Sequence, residues 1–167
     1  TGIRMARAGY VCFLDSDDEW KEEKIECHFQ ALMQHPDCNL HGINFDIVRG
    51  HIDKNDYFNY SGFKKIFPHD KKAVLTSNPL KCQITYSCAW VQSVMIKRND
   101  LIRIGGFNEA YTIYEDYDLF CRLAIDSKWM FSDRVLASIK RRAGEENLSE
   151  YRISKPLAAA EIMAKIH

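Results

Sequence analysis

An unbroken apolar run, Tyr10-Val-Cys-Phe-Leu14, gives way without a spacer to Asp15-Ser-Asp-Asp-Glu-Trp20. Five consecutive apolar residues do not alternate, so the run reads as a strand covered on both faces, the kind found in sheets flanked by helices. The next stretch is helical in period. Ile25, Phe29 and Leu32 share one face of a predicted helix over 21–35, Glu19, Glu22 and Glu23 favour its N-terminal end, and Pro36 stops it. Ile43, Phe45 and Ile47 then alternate with Asn44 and Asp46, predicting a half-buried strand over 40–49. Strands separated by helices predict an α/β architecture. The acidic turn then falls at the carboxyl end of a central strand, where open α/β sheets place their ligands.

Elsewhere the signals are shorter. Residues 2–8 read as the last turns of a helix closed by Gly9. Residues 50–61 read as a loop, 62–68 as a short helical turn, and 85–98 as strand-like. Asn99 or Asp100 caps a short helix through Ile104, ended by Gly105-Gly106. A second clear helix is predicted over 115–127 with Leu119, Phe120, Leu123 and Ala124 inward. Residues 129–131 and 135–140 read as short strands joined by a turn at Asp133. Ser154 and Pro156 open a last helix, docked through Leu157, Ile162, Met163 and Ile166. The expected organisation is one unit over 1–150 with a C-terminal helix in 151–167 packed on it. A chain of 167 residues fits a single domain.

Composition removes several function classes. Lys plus Arg and Asp plus Glu are 23 each, so the formal net charge is zero and there is no basic excess to bind nucleic acid. No stretch approaches the roughly 20 apolar residues of a membrane span, and the first residues are no signal peptide. A cytoplasmic setting is expected, with peripheral contact to the inner membrane face left open. The six cysteines form no Cys-x-x-Cys pair and have no histidines at zinc-finger spacing, so they read as reduced small hydrophobes. Lys64-Lys65 and Lys71-Lys72 read as solvated surface, with an anionic lipid-linked acceptor as the other reading.

The acidic turn sets three carboxylates, Asp15, Asp17 and Asp18, within four residues. Packed together they repel unless a cation occupies the turn or the side chains splay into water. Mg²⁺ or Mn²⁺ typically takes one or two carboxylates plus substrate phosphates, so Asp-x-Asp at a strand end is a seat for a metal–diphosphate complex. A helix N-cap with an acidic first turn is the bland alternative. A calcium loop would need Gly where Trp20 stands. A haloacid-dehalogenase-like phosphatase, with Asp15 as nucleophile and Asp17 as acid/base, is the rival enzyme. Trp90, Trp129, Tyr111 and Tyr114 are candidates for stacking on a sugar, with core packing the expectation for Trp129.

A second acidic cluster, Glu115-Asp116-Tyr117-Asp118, opens a helix behind Gly105-Gly-Phe-Asn-Glu109. Phe13-Leu-Asp-Ser-Asp-Asp-Glu-Trp20, Val94-Met-Ile-Lys-Arg98, the glycine loop and Tyr114-Glu-Asp-Tyr-Asp-Leu-Phe-Cys-Arg-Leu123, in this order, resemble the family 2 glycosyltransferases over roughly residues 3 to 142. The resemblance implies a GT-A-like (Rossmann-like) mixed sheet flanked by helices. It lacks the family's usual N-terminal section that grips the nucleotide base, so the fold is expected to be incomplete on that side, and pairing of two chains across an exposed edge is one resolution. It further implies transfer of a sugar, with inversion, from a nucleoside-diphosphate sugar, expected to be a uridine one, to a saccharide or lipid-linked acceptor with Mg²⁺ or Mn²⁺. Asp17 is then the principal metal ligand with Asp15 beside it. Asp116 is the general base, paired with Glu115; Gly105 and Gly106 lie beside the sugar; Arg141 or Arg142 stands near the diphosphate. A fragment that folds but transfers nothing is the third reading.

Overall fold

The computed structural model describes residues 1–49, 52–68, 71–141 and 164. Arg142 and the predicted C-terminal helix lie outside the described residues, Ala164 apart. Among the described residues no helix is long and apolar enough to cross a membrane.

Among the described residues seven strands form one mixed sheet. They are β1 (Tyr10–Cys12), β2 (Glu19–Trp20), β3 (Leu40–Arg49), β4 (Ile52–Lys54), β5 (Ala73–Leu75), β6 (Val94–Lys97) and β7 (Trp129–Arg141). The order is β1-β6-β3-β7-β2, with β4 on β3 and β5 on β7. Only β3 and β7 run parallel; the other pairs are antiparallel. The helices are α1 (Gly2–Met5), α2 (Lys24–Gln34), α3 (Tyr57–Tyr60), α4 (Pro79–Tyr86), α5 (Arg98–Arg103) and α6 (Glu115–Ala124).

Strand alternation divides the interior into two layers. Ile43, Phe45, Val94, Ile96, Trp129 and Phe131 point to the main core, with Leu119, Phe120 and Leu123 of α6. Met95 and Met130 point the other way and meet Leu32 of α2, Cys38, Tyr10 and Cys12. Trp129 is fully buried, as expected of a core tryptophan. All six cysteines are free thiols.

The long parallel pair is what holds the sheet together, and its irregularity has an identifiable cause. The β3–β7 register shifts on both sides of Asn44, skipping Asp133 and Arg134 on one side and Leu136 on the other. Asn44 is buried and makes four hydrogen bonds: its Oδ1 accepts from Phe45 N (2.9 Å) and Phe58 N (3.0 Å), and its Nδ2 donates to Asp56 Oδ1 (2.6 Å) and Asp133 Oδ1 (3.1 Å). Lys64 pairs with the same two aspartates. The predicted turn at Asp133 is therefore a bulge inside one continuous strand.

Several expectations are corrected. The inner face of α2 is Lys24, His28 and Leu32, whereas Ile25 and Phe29 are 45% and 47% exposed. The Lys24 stem packs inward with its ammonium 3.8 Å from the centre of the Trp20 ring. His28 Nδ1 lies 2.8 Å from His41 Nδ1, whose ring reaches Ser132 Oγ (2.9 Å). β1 is three residues long and ends the strand order, so the acidic turn leaves an outer strand rather than a central one. Its faces are half-buried because its one neighbour is β6. Residues 85–98 hold only a four-residue strand. Before it, Asn78 accepts from Lys81 N (2.9 Å) and Pro79 starts α4, which lies against α6. Helix α1 stops at Met5, not at Gly9, and α5 begins at Arg98, before Asn99. Residues 50–61 contain β4 and α3 where a loop was expected.

Candidate active site

The chain leaves β1 through Phe13 and Leu14 into a turn closed by Asp18 N donating to Asp15 O (3.2 Å). β2 comes next and pairs with β7, Glu19 opposite Ser138 and Trp20 opposite Ala137. The turn is thereby pinned to the far side of the sheet from β1. Asp18 turns inward and accepts from Lys140 N (2.8 Å). Burial raises its carboxyl pKa to about 6, with the charges of Asp17 and Asp15 adding to the rise, while the Lys140 N–H and the Gln92 amide oppose it. Asp15 is exposed, and its Oδ2 accepts from Gln92 Nε2 (2.5 Å). Asp17 is exposed and makes no hydrogen bond among the described residues. Glu19 pairs with Lys140 on the surface.

The second acidic segment is built by the glycine loop and α6. Gly105 and Gly106 have φ of 84° and 72°, the left-handed region that strains any side chain. Their amides donate to Ile102 O (3.0 Å) and Leu101 O (2.9 Å), closing α5. Arg122, one turn on from Asp118 in α6, ties the loop down. Its guanidinium donates to Asp118 Oδ2 through Nε (2.9 Å) and Nη2 (2.6 Å), to Ile104 O through Nη1 (2.7 Å) and to Gly106 O through Nη2 (2.8 Å). Glu115, Asp116 and Asp118 all lie in the first turn of α6, where the helix dipole favours negative charge. Asp118 is consumed by Arg122. Glu115 is exposed and Asp116 half-buried, its Oδ1 accepting from Tyr117 N (2.7 Å).

An edge-to-face contact joins the two segments. The rings of Phe13, two residues before Asp15, and Phe107, directly after the glycines, are 5.5 Å apart at 79°. The glycine loop that carries Phe107 is the one Arg122 fastens to α6. The predicted residues Asp15, Asp17, Gly105, Gly106, Glu115 and Asp116 therefore belong to two segments linked through Phe13, Phe107 and Arg122. Arg141 is the last described residue of β7, paired with Arg49, and Arg142 lies beyond it. Tyr111 and Tyr114 pack on Tyr117 and Cys121. Trp90 packs on Phe45 and Tyr57, with centroids 5.2 Å from each.

Two groups that hold the acidic turn carry no motif signal for sequence reasoning to find. Gln92 and the Lys140 backbone come from 77 and 122 residues away from their aspartates. The inward turn of Asp18 is equally silent, since the sequence shows it only as one member of an acidic cluster. The i, i+4 spacing of Asp118 and Arg122 is the one readable signal. As for a metal, no three His, Cys, Asp or Glu side chains gather in ligating geometry among the described residues. The donor set on offer is one or two exposed carboxylates. That suits a hard divalent ion completed by substrate phosphates and water.

Comparison with known proteins bears on the family and the fold. The chain is 26% identical over 121 residues to the amylovoran biosynthesis glycosyltransferase AmsB of Erwinia amylovora, covering 72% of this chain and 38% of that protein. It is 27% identical over 124 residues to an uncharacterized glycosyltransferase of Haemophilus influenzae, covering 73% and 38%. The chain thus spans well under half the length of these relatives. Among solved structures it superposes on S. aureus TarS 1–349 with a TM-score of 0.61 at 17% identity, covering 83% of this chain and 37% of that one. The longer TarS structure gives 0.60 at 16%, covering 83% and 23%. The fold here is a GT-A-like mixed α/β sheet with helices, of the kind these structures share. The sequence pattern described as glycosyltransferase like family 2 matches residues 1–155, and the chain belongs to that family.

Proposed function

We propose that this chain is the acidic-site portion of an inverting glycosyltransferase that moves a sugar from a nucleoside-diphosphate sugar, a uridine one, to a hydroxyl of a saccharide or lipid-linked acceptor. The observation that carries the reading is the link between the Asp15–Asp18 turn and the first turn of α6 through Phe13, Phe107 and Arg122. Transfer with inversion needs two carboxylate functions of unlike kind, one serving the diphosphate and one the acceptor proton.

Asp17, with Asp15, would hold Mg²⁺ or Mn²⁺, whose charge offsets that of the departing diphosphate by several kcal/mol. Asp116 takes the proton from the acceptor hydroxyl as its oxygen bonds to the anomeric carbon. The bond from that carbon to the diphosphate oxygen breaks, and its electron pair leaves with the diphosphate. General-base help of this kind is typically worth about 10²–10⁴-fold. Glu115, exposed beside Asp116, and the Gly105–Gly106 turn border the sugar in this reading. Arg142, outside the described residues, would supply positive charge to the diphosphate in this reading. A phosphatase with Asp15 as nucleophile draws no comparable support, since the family matched over residues 1–155 is one of glycosyltransferases.

The test separates binding from chemistry in the complete enzyme. Asp116→Asn abolishes transfer and spares donor binding, whereas Asp17→Asn weakens Mn²⁺-dependent donor binding. Near-normal turnover in Asp116→Asn overturns the base assignment. Failure of uridine diphosphate to bind with millimolar Mn²⁺ overturns the donor assignment and leaves the non-catalytic fragment.

A further inference from the structure

We infer that Gln92 is a positioning residue that presets the acidic turn for its cation. It lies in the 3₁₀ turn Val91–Ser93, 7% exposed, between α4 and β6. That turn is stiff. Trp90 N donates to Ser93 Oγ (3.1 Å), Ser93 N donates to Trp90 O (2.9 Å), and the Trp90 indole donates to Ser87 O (2.9 Å) while packing on Phe45 and Tyr57.

From this anchor Gln92 grips the acidic turn at both ends. Its Nε2 donates to Asp15 Oδ2 (2.5 Å), and its backbone oxygen accepts from Trp20 Nε1 (3.1 Å). Between these two points stands Asp17, exposed and without a hydrogen bond among the described residues. The chemistry of the anchor matters as much as its place. A lysine or arginine would hold Asp15 more strongly, yet its charge would compete with a divalent ion. An amide donates a hydrogen bond without adding charge, so it can orient a carboxylate that must still attract a cation. Three carboxylates in four residues repel, and a side chain held in its binding orientation loses less freedom when the ion arrives.

This inference rests on the metal–diphosphate reading above, and the test keeps the two apart. Gln92→Met holds the volume and leaves the backbone oxygen for Trp20, so it removes only the amide. Mn²⁺ alone and uridine diphosphate, the latter with and without Mn²⁺, are titrated against the complete enzyme by calorimetry. The far-UV circular dichroism and the Trp20 emission report that the turn is intact. A merely structural role weakens metal-free and metal-dependent nucleotide binding alike. Positioning removes tenfold or more from the Mn²⁺-dependent increment and leaves metal-free binding within twofold. Gln92→Leu, which likewise removes the amide without adding charge, is read by the same criterion if the methionine variant does not fold. Wild-type binding that depends on Mn²⁺, with both variants within twofold of it, overturns the inference alone. A complete wild-type enzyme that binds uridine diphosphate no better with Mn²⁺ overturns the metal–diphosphate reading and the inference with it.

Discussion

Removing the Arg122 side chain is the sharpest test of how the second acidic segment is built. Arg122→Ala deletes four hydrogen bonds and strands the Asp118 carboxylate, whose side chain is 6% exposed. Breaking a buried ion pair by removing one partner typically costs 3–5 kcal/mol, because the remaining charge has no compensation. The carbonyls of Ile104 and Gly106 lose their donor too, but lie close enough to the surface to recruit water. With the Arg122 side chain 22% exposed, the lower half of that range is the expectation, about 3–4 kcal/mol. That is a large part of the 5–15 kcal/mol available to a domain. Urea unfolding, tracked by tryptophan emission at pH 7, gives the value directly. Two further variants isolate the cause. Arg122→Lys keeps the charge but not the planar fork, so it recovers about half the loss. Arg122→Met combined with Asp118→Leu removes both charges and is more stable than Arg122→Ala alone. Proteolysis within 105–114 quickens in Arg122→Ala, since the glycine loop loses its tie. A cost below about 1 kcal/mol for Arg122→Ala, or a double variant worse than the single one, refutes the reasoning.

Three other perturbations probe the same fold. A methyl group on Gly42 would sit 2.3 Å from Phe131 Cε1, so Gly42→Ala destabilises by about 2–3 kcal/mol in the same unfolding assay, and Phe131→Leu in that background recovers part of it. At Gly105 nothing crowds the added methyl and only the backbone objects, so Gly105→Ala costs about 1–2 kcal/mol. Burial, with help from Lys24, lowers the His41 pKa to about 3 and drives that of His28 well below its usual value. Both stay neutral when folded while the unfolded chain takes up protons near pH 6.5. Stability therefore falls as pH drops through 6.5, by about 2 kcal/mol per histidine between pH 7 and pH 5. Replacing both by Leu flattens that slope, and an unchanged slope would refute it.

How much of the fold and site is legible depends on whether the signal is local. Helix α6 is readable because an acidic first turn and an apolar face at 119, 120, 123 and 124 agree. Helix α2 is readable as a helix but not in its orientation. Two faces that share Leu32 are available, Ile25-Phe29-Leu32 and Lys24-His28-Leu32, and hydrophobicity alone chooses the first. The structure buries the second because Trp20 receives the Lys24 ammonium and His41 receives His28, partners that no periodicity reveals. Helix α4 escapes the sequence reading although its cap, Asn78-Pro79, is in plain sight, because β-branched and aromatic residues after it favour a strand. In the site, the motifs supply the aspartates and the glycines. The groups that hold them, Gln92 and Lys140, are contributed by contacts across 77 and 122 residues, which local pattern does not encode.

The two acidic segments share a logic that bears on which carboxylate does what. Each gives one aspartate to the fold. Asp18 is taken by the Lys140 amide, Asp118 by the Arg122 fork, and both point inward. These two fix the backbone on which their neighbours ride, and they are the residues whose loss should first be read as instability. Of the other members, Asp15, Asp17 and Glu115 are exposed and Asp116 is half-buried. A carboxylate oriented by a neutral amide keeps its full attraction for a cation, whereas one paired with a guanidinium does not. Asp15, oriented by Gln92, is of the first kind, and Asp118 is of the second. On that physical distinction, the turn after β1 is the segment suited to a cation, while the ion pair of Asp118 serves to fix the start of α6.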